Sequence, residues 1–182
     1  MAVDPKSLEL RIYPDAALRK RAAPIAEVTD EVRAVATEMI RIMREEEGVG
    51  LAAPQVGLSW RMFVADVPPD DKRSAQADPP TATKGPVVYV NPVIVEPEGA
   101  IEPFEEGCLS LPDIRGEVLR PPVVSIAALG LDGKRFTARA GGLLARCWQH
   151  EVDHLDGVLI IDKMTQLSRI KNRKAIRDLE RE

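Results

Sequence analysis

The chain has 182 residues, a length that suits a single domain with one sizeable hydrophobic core. Its composition is 45% hydrophobic and 30% charged, and its formal net charge of −4 gives no general electrostatic reason to bind DNA, other nucleic acid or an anionic membrane tightly. No apolar run is long enough to span a membrane and the N-terminus lacks a targeting pattern, so we expect a cytoplasmic protein.

The first predicted element is a helix from about Asp30 to Glu47. Thr29 is placed to cap its N-terminus, acidic residues in the first turn favour the positive end of the helix dipole, and Gly48 is the expected stop. A turn-rich segment, 48–57, follows. The residues from Arg61 to Val67 then favour a strand.

The segment from Pro68 to Pro86 differs from its surroundings, because it is rich in Pro, Asp, Ala and Lys and has almost no large apolar residue. This composition predicts a mobile surface loop. Since the loop lies inside a β region, we predict one domain, 1–182. Strand character resumes from Val87 to Glu96, where Pro92 indicates an edge or a bulge.

Two more strands, Val123–Leu129 and Lys134–Ala140, are separated by Asp132-Gly133, a strong hairpin signal. Helices are predicted from about Gly142 to Leu155 and from about Thr165 to Arg181. Strands and helices come in runs rather than in alternation. The order therefore predicts an α+β fold with mostly antiparallel sheets.

His150 and His154, the only histidines in the chain, lie four residues apart in the second helix. This spacing puts both rings on one helix face, where they can bind one metal ion, and Glu151 can accept a proton from a metal-bound water. The alternative is an amphipathic helix whose histidines are simply hydrogen-bonded. A metal site also requires a third ligand.

The two cysteines are the thiols to consider, and in the cytoplasm they are expected as free thiols or ligands. Cys147 lies about 10 Å from His154 along the helix axis, so one ion cannot be held by both. We expect Cys147 to line an apolar wall with Leu143 instead. Cys108, in the segment from Glu106 to Pro112, is the better candidate.

Three segments resemble the motifs of bacterial peptide deformylases. In chain order they are Gly-Val-Gly-Leu-Ala-Ala-Pro-Gln at 48–55, Glu-Gly-Cys-Leu-Ser at 106–110, and Gln-His-Glu-Val-Asp-His-Leu at 149–155. The resemblance spans nearly the whole chain, and the insertion 68–86 lies outside all three motifs. It implies antiparallel sheets around a central metal-binding helix, with an N-terminal and a C-terminal helix.

The resemblance implies a metal-dependent hydrolase that removes the formyl group from the N-formylmethionine of nascent polypeptides and releases formate. Cys108, His150 and His154 are the implied ligands, with water completing the site. The implied ion is Fe²⁺, which Zn²⁺, Ni²⁺ or Co²⁺ can replace. Glu151 moves the proton, and the oxyanion is bound by the side-chain amide of Gln55 and the backbone N–H of Leu109.

The same resemblance implies that an extended formylmethionyl peptide pairs with the chain by adding a strand. The substrate-binding residues implied are Val49, Gly50, Glu105, Glu106, Gly107, Arg115, Leu143 and Cys147. Core packing is the alternative for Leu143 and Cys147, and a solvated surface position is the alternative for Arg115.

The last helix carries Arg169, Lys171, Arg173, Lys174, Arg177 and Arg181. A solvated amphipathic helix explains this pattern. The resemblance adds a second possibility, contact with the ribosome near the exit tunnel.

Two other functions remain open. The first is a zinc endopeptidase, which also uses two histidines on a helix but usually takes a His or a Glu as its third ligand. The second is a non-catalytic relative that binds N-terminal peptides.

Overall fold

The computed structural model describes residues 3–181, so the ends of the predicted domain, Met1, Ala2 and Glu182, lie outside the described residues. The elements in chain order are α1 (Asp30–Glu45), β1 (Gly50–Ala52), β2 (Met62–Ala65), β3 (Val87–Glu98), β4 (Glu102–Cys108), β5 (Leu111–Arg120), β6 (Val123–Leu129), β7 (Arg135–Gly141), α2 (Gly142–Leu155), α3 (Ile160–Lys163) and α4 (Gln166–Leu179). Within residues 3–181 no helix is both long and apolar enough to cross a membrane.

The strands form two antiparallel sheets. One has five strands in the order β1-β2-β3-β6-β7, and the other is the pair β4-β5. Every pairing between neighbouring strands is antiparallel, which confirms the predicted α+β fold. β3 lies between β2 and β6, and its register shifts between Val90 and Val93, so Pro92 marks a bulge rather than an edge.

Helix α1 begins as predicted, with the Thr29 hydroxyl accepting from the backbone N–H of Val32 at 3.4 Å. It ends at Glu45, two residues earlier than predicted, and Glu47 rather than Gly48 adopts the left-handed conformation, with a φ of 55°. Gly48 instead packs closely against Leu109, since a Cβ at position 48 would lie 2.7 Å from Cδ1 of that side chain and the leucine would have to shift.

Strands β4 and β5 were not predicted. Cys108 is the last residue of β4. Buried and exposed residues alternate along β5 from Ile114 to Arg120, which is the period of a half-buried strand. Pro112 is exposed near the start of β5, where a strand tolerates a residue without an N–H.

Of the hydrophobic cores, two lie near helix α2, which packs in one and reaches the strands of the other through the hydrogen bond from Arg146 to the carbonyl of Val118. In the first, α2 packs on the five-stranded sheet through Trp148, whose ring centroid lies 5.6 Å from that of Tyr89. The second core joins β5 to α3 and includes Ile114, Val118 and Ile160. The predicted metal-binding helix therefore lies between the two sheets, at the centre of the fold.

The insertion 68–86 contains neither helix nor strand. It is nevertheless anchored, because the hydroxyl of Thr83 accepts from the backbone N–H of Val67 at 3.0 Å and Gly141 donates its N–H to the carbonyl of Pro80 at 2.9 Å. Ala82 and Thr83 are buried. The mobility of this segment stays a prediction.

Candidate active site

The side chains of Cys108, His150 and His154 converge on one point. Helix α2 brings the two histidines together, with 3.2 Å between their Nε2 atoms, and Sγ of Cys108 lies 3.3 Å from Nε2 of His154. All three candidate ligand atoms lie within 4.8 Å of one another. Ligand bonds of about 2.0–2.3 Å in a tetrahedral site separate neighbouring ligand atoms by roughly 3.3–3.6 Å, so this cluster fits a single ion.

Cys147 is not part of this cluster. Its Sγ lies 3.5 Å from the carbonyl oxygen of Val49, and its side chain belongs to the first core. Burial raises the pKa of the Cys147 thiol well above its ordinary value, which keeps it protonated and unsuited to bind a metal. The expectation that it lines an apolar wall agrees with this position.

A buried carboxylate orients His150. Oε2 of Glu106 lies 3.2 Å from Nδ1 of His150, and Arg120 donates to the same carboxylate at 2.6 and 2.9 Å. Burial acts to raise the pKa of Glu106, but the hydrogen bonds from His150 and Arg120 outweigh it and hold the value at about 2. A proton on Nδ1 that is donated to Glu106 leaves the lone pair of Nε2 free for a metal.

This supporting network was not predicted from the sequence. Arg120 also donates to Asp153 at 2.7 Å, and Lys163 lies 2.8 Å from the other oxygen of Asp153. One signal was available: a metal-binding histidine usually donates its second N–H to a carboxylate or carbonyl. Glu106, two residues before Cys108 in the same motif, offered a carboxylate that could accept it.

Glu151 is buried beside the cluster, with only 3% of its surface exposed. Its Oε2 has no hydrogen-bond partner among residues 3–181. Burial is the main cause that raises the pKa of Glu151, to about 7. Gly50 packs directly against it, since a Cβ on Gly50 would lie 2.4 Å from Oε1 of Glu151 and 2.7 Å from Sγ of Cys147.

The side chain of Gln55 is held by a backbone hydrogen bond through its oxygen, and its nitrogen lies near the ligand cluster. Its Oε1 accepts from the backbone N–H of Ala52 at 2.8 Å, and its Nε2 lies 3.2 Å from Oγ of Ser110 and 3.7 Å from Sγ of Cys108. The side chain is 1% exposed. The amide is therefore fixed by its oxygen while its nitrogen faces the ligand cluster.

A cleft of about 680 Å³ opens over these groups. Its lining contains every residue predicted to bind substrate, namely Val49, Gly50, Glu105, Glu106, Gly107, Arg115, Leu143 and Cys147, together with Gln55 and Leu109. The side chain of Glu106, however, faces His150 rather than the cleft mouth. Phe104 and Arg146 also line the cleft, and neither was predicted from the sequence.

Two strand edges border the cleft. β1 is an edge strand of the five-stranded sheet, and in the described part of the chain β4 pairs with β5 alone. Gly50 of β1 and Glu105 of β4 both line the cleft. An extended peptide could therefore form backbone hydrogen bonds along either strand.

Comparison with known proteins matches this arrangement to one family. The family model described as polypeptide deformylase matches residues 7–170. A peptide deformylase of Agrobacterium fabrum is 43% identical over 160 residues, which cover 88% of each chain, and one of Acidobacterium capsulatum is 42% identical over 173 residues, which cover 93% of each chain. The crystal structure of a peptide deformylase from Legionella pneumophila superposes with a TM-score of 0.81 at 36% identity, over 96% of this chain and 95% of the other. The chain belongs to the polypeptide deformylase family.

Proposed function

We propose that this protein is a metal-dependent hydrolase that removes the formyl group from the N-formylmethionine of nascent polypeptides and releases formate. One observation carries the proposal: the buried carboxyl of Glu151 lines the same cleft as Cys108 and His150 of the candidate ligand cluster. Family membership supports the same reaction. Since the substrate class consists of nascent chains, we also propose a cytoplasmic location.

Cys108, His150 and His154 would hold one divalent ion, and three protein ligands leave a position open for water or substrate. When bound, the ion would acidify water and polarise the formyl carbonyl. Glu151 then accepts the proton of the attacking water and delivers it to the departing amine of methionine. Its burial without a hydrogen-bond partner for Oε2 suits a group that must hold a proton during the reaction.

The negative charge that develops on the formyl oxygen requires hydrogen-bond donors. We assign this role to Nε2 of Gln55 and the backbone N–H of Leu109. The hydrogen bond from Ala52 to Oε1 of Gln55 supports the assignment, because it orients the amide nitrogen towards the reacting group. Leu109 directly follows Cys108 and lines the same cleft.

The peptide would bind in an extended conformation between β1 and β4. Its backbone would pair with Val49-Gly50 and with the stretch Glu105–Gly107, so that affinity comes from strand addition. The methionine side chain would contact the apolar wall that contains Leu143 and Cys147. Arg115 lines the same cleft and is exposed, so its guanidinium is available to bind the peptide backbone.

We propose Fe²⁺ as the working ion. A thiolate with two imidazoles also satisfies Zn²⁺, so the protein should be purified without oxygen and its metal content determined. Formate release should be highest with Fe²⁺, after comparison with protein loaded with Zn²⁺, Ni²⁺ or Co²⁺. Activity that is highest with Zn²⁺ would contradict this proposal.

We further propose that α4 contacts the ribosome. Arg169, Lys171, Arg173, Lys174 and Arg177 are exposed on this helix, as are the apolar side chains of Leu167 and Ile170. Ribosomal RNA attracts such a basic surface. The helix also lies close to the cleft, since Asn172 donates to the carbonyl of Arg115 at 2.7 Å.

The decisive experiment measures formate release from a short formylmethionyl peptide by the anaerobically purified protein. A deformylase releases formate and leaves the internal peptide bonds intact. Cleavage of an internal bond without formate would favour a zinc endopeptidase. Peptide binding without either product would favour a non-catalytic relative.

A further inference from the structure

Arg146 is a buried arginine on α2 that the reaction chemistry described above does not use. Its side chain is 5% exposed, and it lies one helical turn before His150. A charged side chain is seldom buried unless it is paired and hydrogen-bonded. The contacts of Arg146 therefore indicate what it holds in place.

Three of these contacts reach β4. Nη2 of Arg146 donates to the backbone carbonyl of Glu102 at 2.8 Å, and Nη1 lies 3.2 Å from the carboxylate of Glu106. The guanidinium also lies over the ring of Phe104, 4.9 Å from its centroid. A fourth contact, to the carbonyl of Val118 at 3.1 Å, reaches β5. One side chain thus joins α2 to alternate residues of β4 and to its partner strand.

The position of β4 matters because this strand borders the cleft. Phe104 lines the cleft and is 50% exposed, which is high for a large apolar side chain, and Leu143 of α2 lines the same space. A peptide that pairs with β4 must also place its formyl group next to the histidines of α2. The distance between β4 and α2 therefore decides whether both contacts can form together.

We propose that Arg146 is a positioning residue that fixes β4 against α2 and holds the Phe104 ring at the cleft as a contact for the bound peptide. The inference rests on the proposed deformylase function and deepens it, because it assigns part of the peptide affinity to a residue outside the metal site. Loss of the guanidinium weakens peptide binding and leaves the ion and the proton transfer by Glu151 in place.

The test compares Arg146→Met, Arg146→Lys and Phe104→Leu with the wild-type chain in formate release from a formylmethionyl tripeptide. We expect Arg146→Met to raise KM about tenfold, as for a lost charge-assisted contact, with kcat within about twofold. Arg146→Lys should give an intermediate KM, because an ammonium group keeps the charge near Glu106 but lacks the planar fork. Arg139→Met, which removes an exposed arginine paired with Glu98, should leave KM unchanged.

A second readout does not depend on turnover. Calorimetric titration with the deformylated methionyl tripeptide should show Kd weakened by the same factor as KM, while metal analysis still finds one ion per chain. Loss of the ion, or a lower kcat with unchanged KM and Kd, would mean that Arg146 acts through Glu106 on His150, and would overturn the inference.

If Arg146→Met does not fold, the inference is tested with Arg146→Lys and Phe104→Leu. Unchanged KM and Kd in both of these variants would also overturn the inference. Formate release by the wild-type chain tests the proposed function independently. A failure of the inference is therefore distinguishable from a failure of that function.

Discussion

Glu106 of β4 and His150 of α2 face each other, with 3.2 Å between Oε2 of the carboxylate and Nδ1 of the imidazole. The contact ties a metal ligand on α2 to β4, the strand that carries Cys108. It also fixes the imidazole tautomer, so it should contribute to metal affinity.

Replacement of Glu106 by Gln should therefore weaken metal binding about 10–100-fold, the usual effect of losing such a partner. The measurement is competition with a chelator of known affinity, followed by metal analysis. Glu105→Gln is the matched control, because it removes an adjacent carboxylate that is exposed. Equal metal affinity in the two variants would show that Glu106 does not support His150.

Replacement of Glu151 by Ala should leave metal content unchanged and lower formate release by at least about 10²–10⁴-fold, the range for loss of a general acid-base group. The physical reason is that Glu151 lies outside the ligand set but carries the only carboxyl assigned to the proton transfer. Single-turnover assays on metal-matched protein provide the measurement. An active Glu151→Ala variant would refute the proposed mechanism.

Gly50→Ala should distort the site, because the new Cβ would lie 2.4 Å from Oε1 of Glu151. Overpacking of this kind typically costs about 1–3 kcal/mol, so the free energy of unfolding should fall together with formate release. Gly85→Ala is the control, since a Cβ there meets no heavy atom within 4 Å. Urea unfolding of both variants checks the prediction, and indistinguishable stability and activity would contradict it.

Gln55→Ala should have two separable effects. Loss of the amide donor should lower turnover about 10²–10³-fold. Loss of Oε1 leaves the backbone N–H of Ala52 without its acceptor and should cost about 1–3 kcal/mol of stability. Ser110→Ala removes the hydroxyl next to Nε2 but keeps the amide, so its turnover should fall much less. Equal turnover in Gln55→Ala and Ser110→Ala would exclude Gln55 as an oxyanion donor.

Charge reversal on α4 tests the ribosome proposal without removing the helix. The triple variant Arg173→Glu, Lys174→Glu, Arg177→Glu should lose co-sedimentation with ribosomes at physiological salt, while formate release from a free tripeptide is retained. The control reverses three exposed basic residues elsewhere, namely Lys84, Lys134 and Arg135. Unchanged sedimentation of the α4 variant would rule out this surface as the contact.

Much of the site was predictable because it depends on local spacing. A separation of four residues on a helix fixes the relative position of His150 and His154, and helix length excludes Cys147 as a ligand of the same ion. The hairpin after β6 was predictable for a similar reason, since Gly133 adopts the left-handed conformation, with a φ of 75°, that the turn requires.

The support around the site was not predictable in the same way. Glu106, Arg120 and Arg146 meet only because β4, β5 and α2 pack together, and no spacing along the chain encodes such a contact. The prolines and glycine around Cys108 also favour a turn, so the sequence did not predict β4 and β5. The alternation of buried and exposed positions in β5 was the usable signal for a strand. It was weaker than the signal for a turn from the glycine and prolines beside it.

The two ligand-bearing elements belong to different hydrophobic cores. α2 packs in the core of the five-stranded sheet, whereas Cys108 packs against the core formed by β5 and α3. An ion held by both elements acts as a cross-link between the two halves of the cleft, so its binding energy also stabilises their relative placement. Peptide affinity and thermal stability should therefore both depend on metal loading, and a demetallated sample would understate how well the protein recognises a nascent chain.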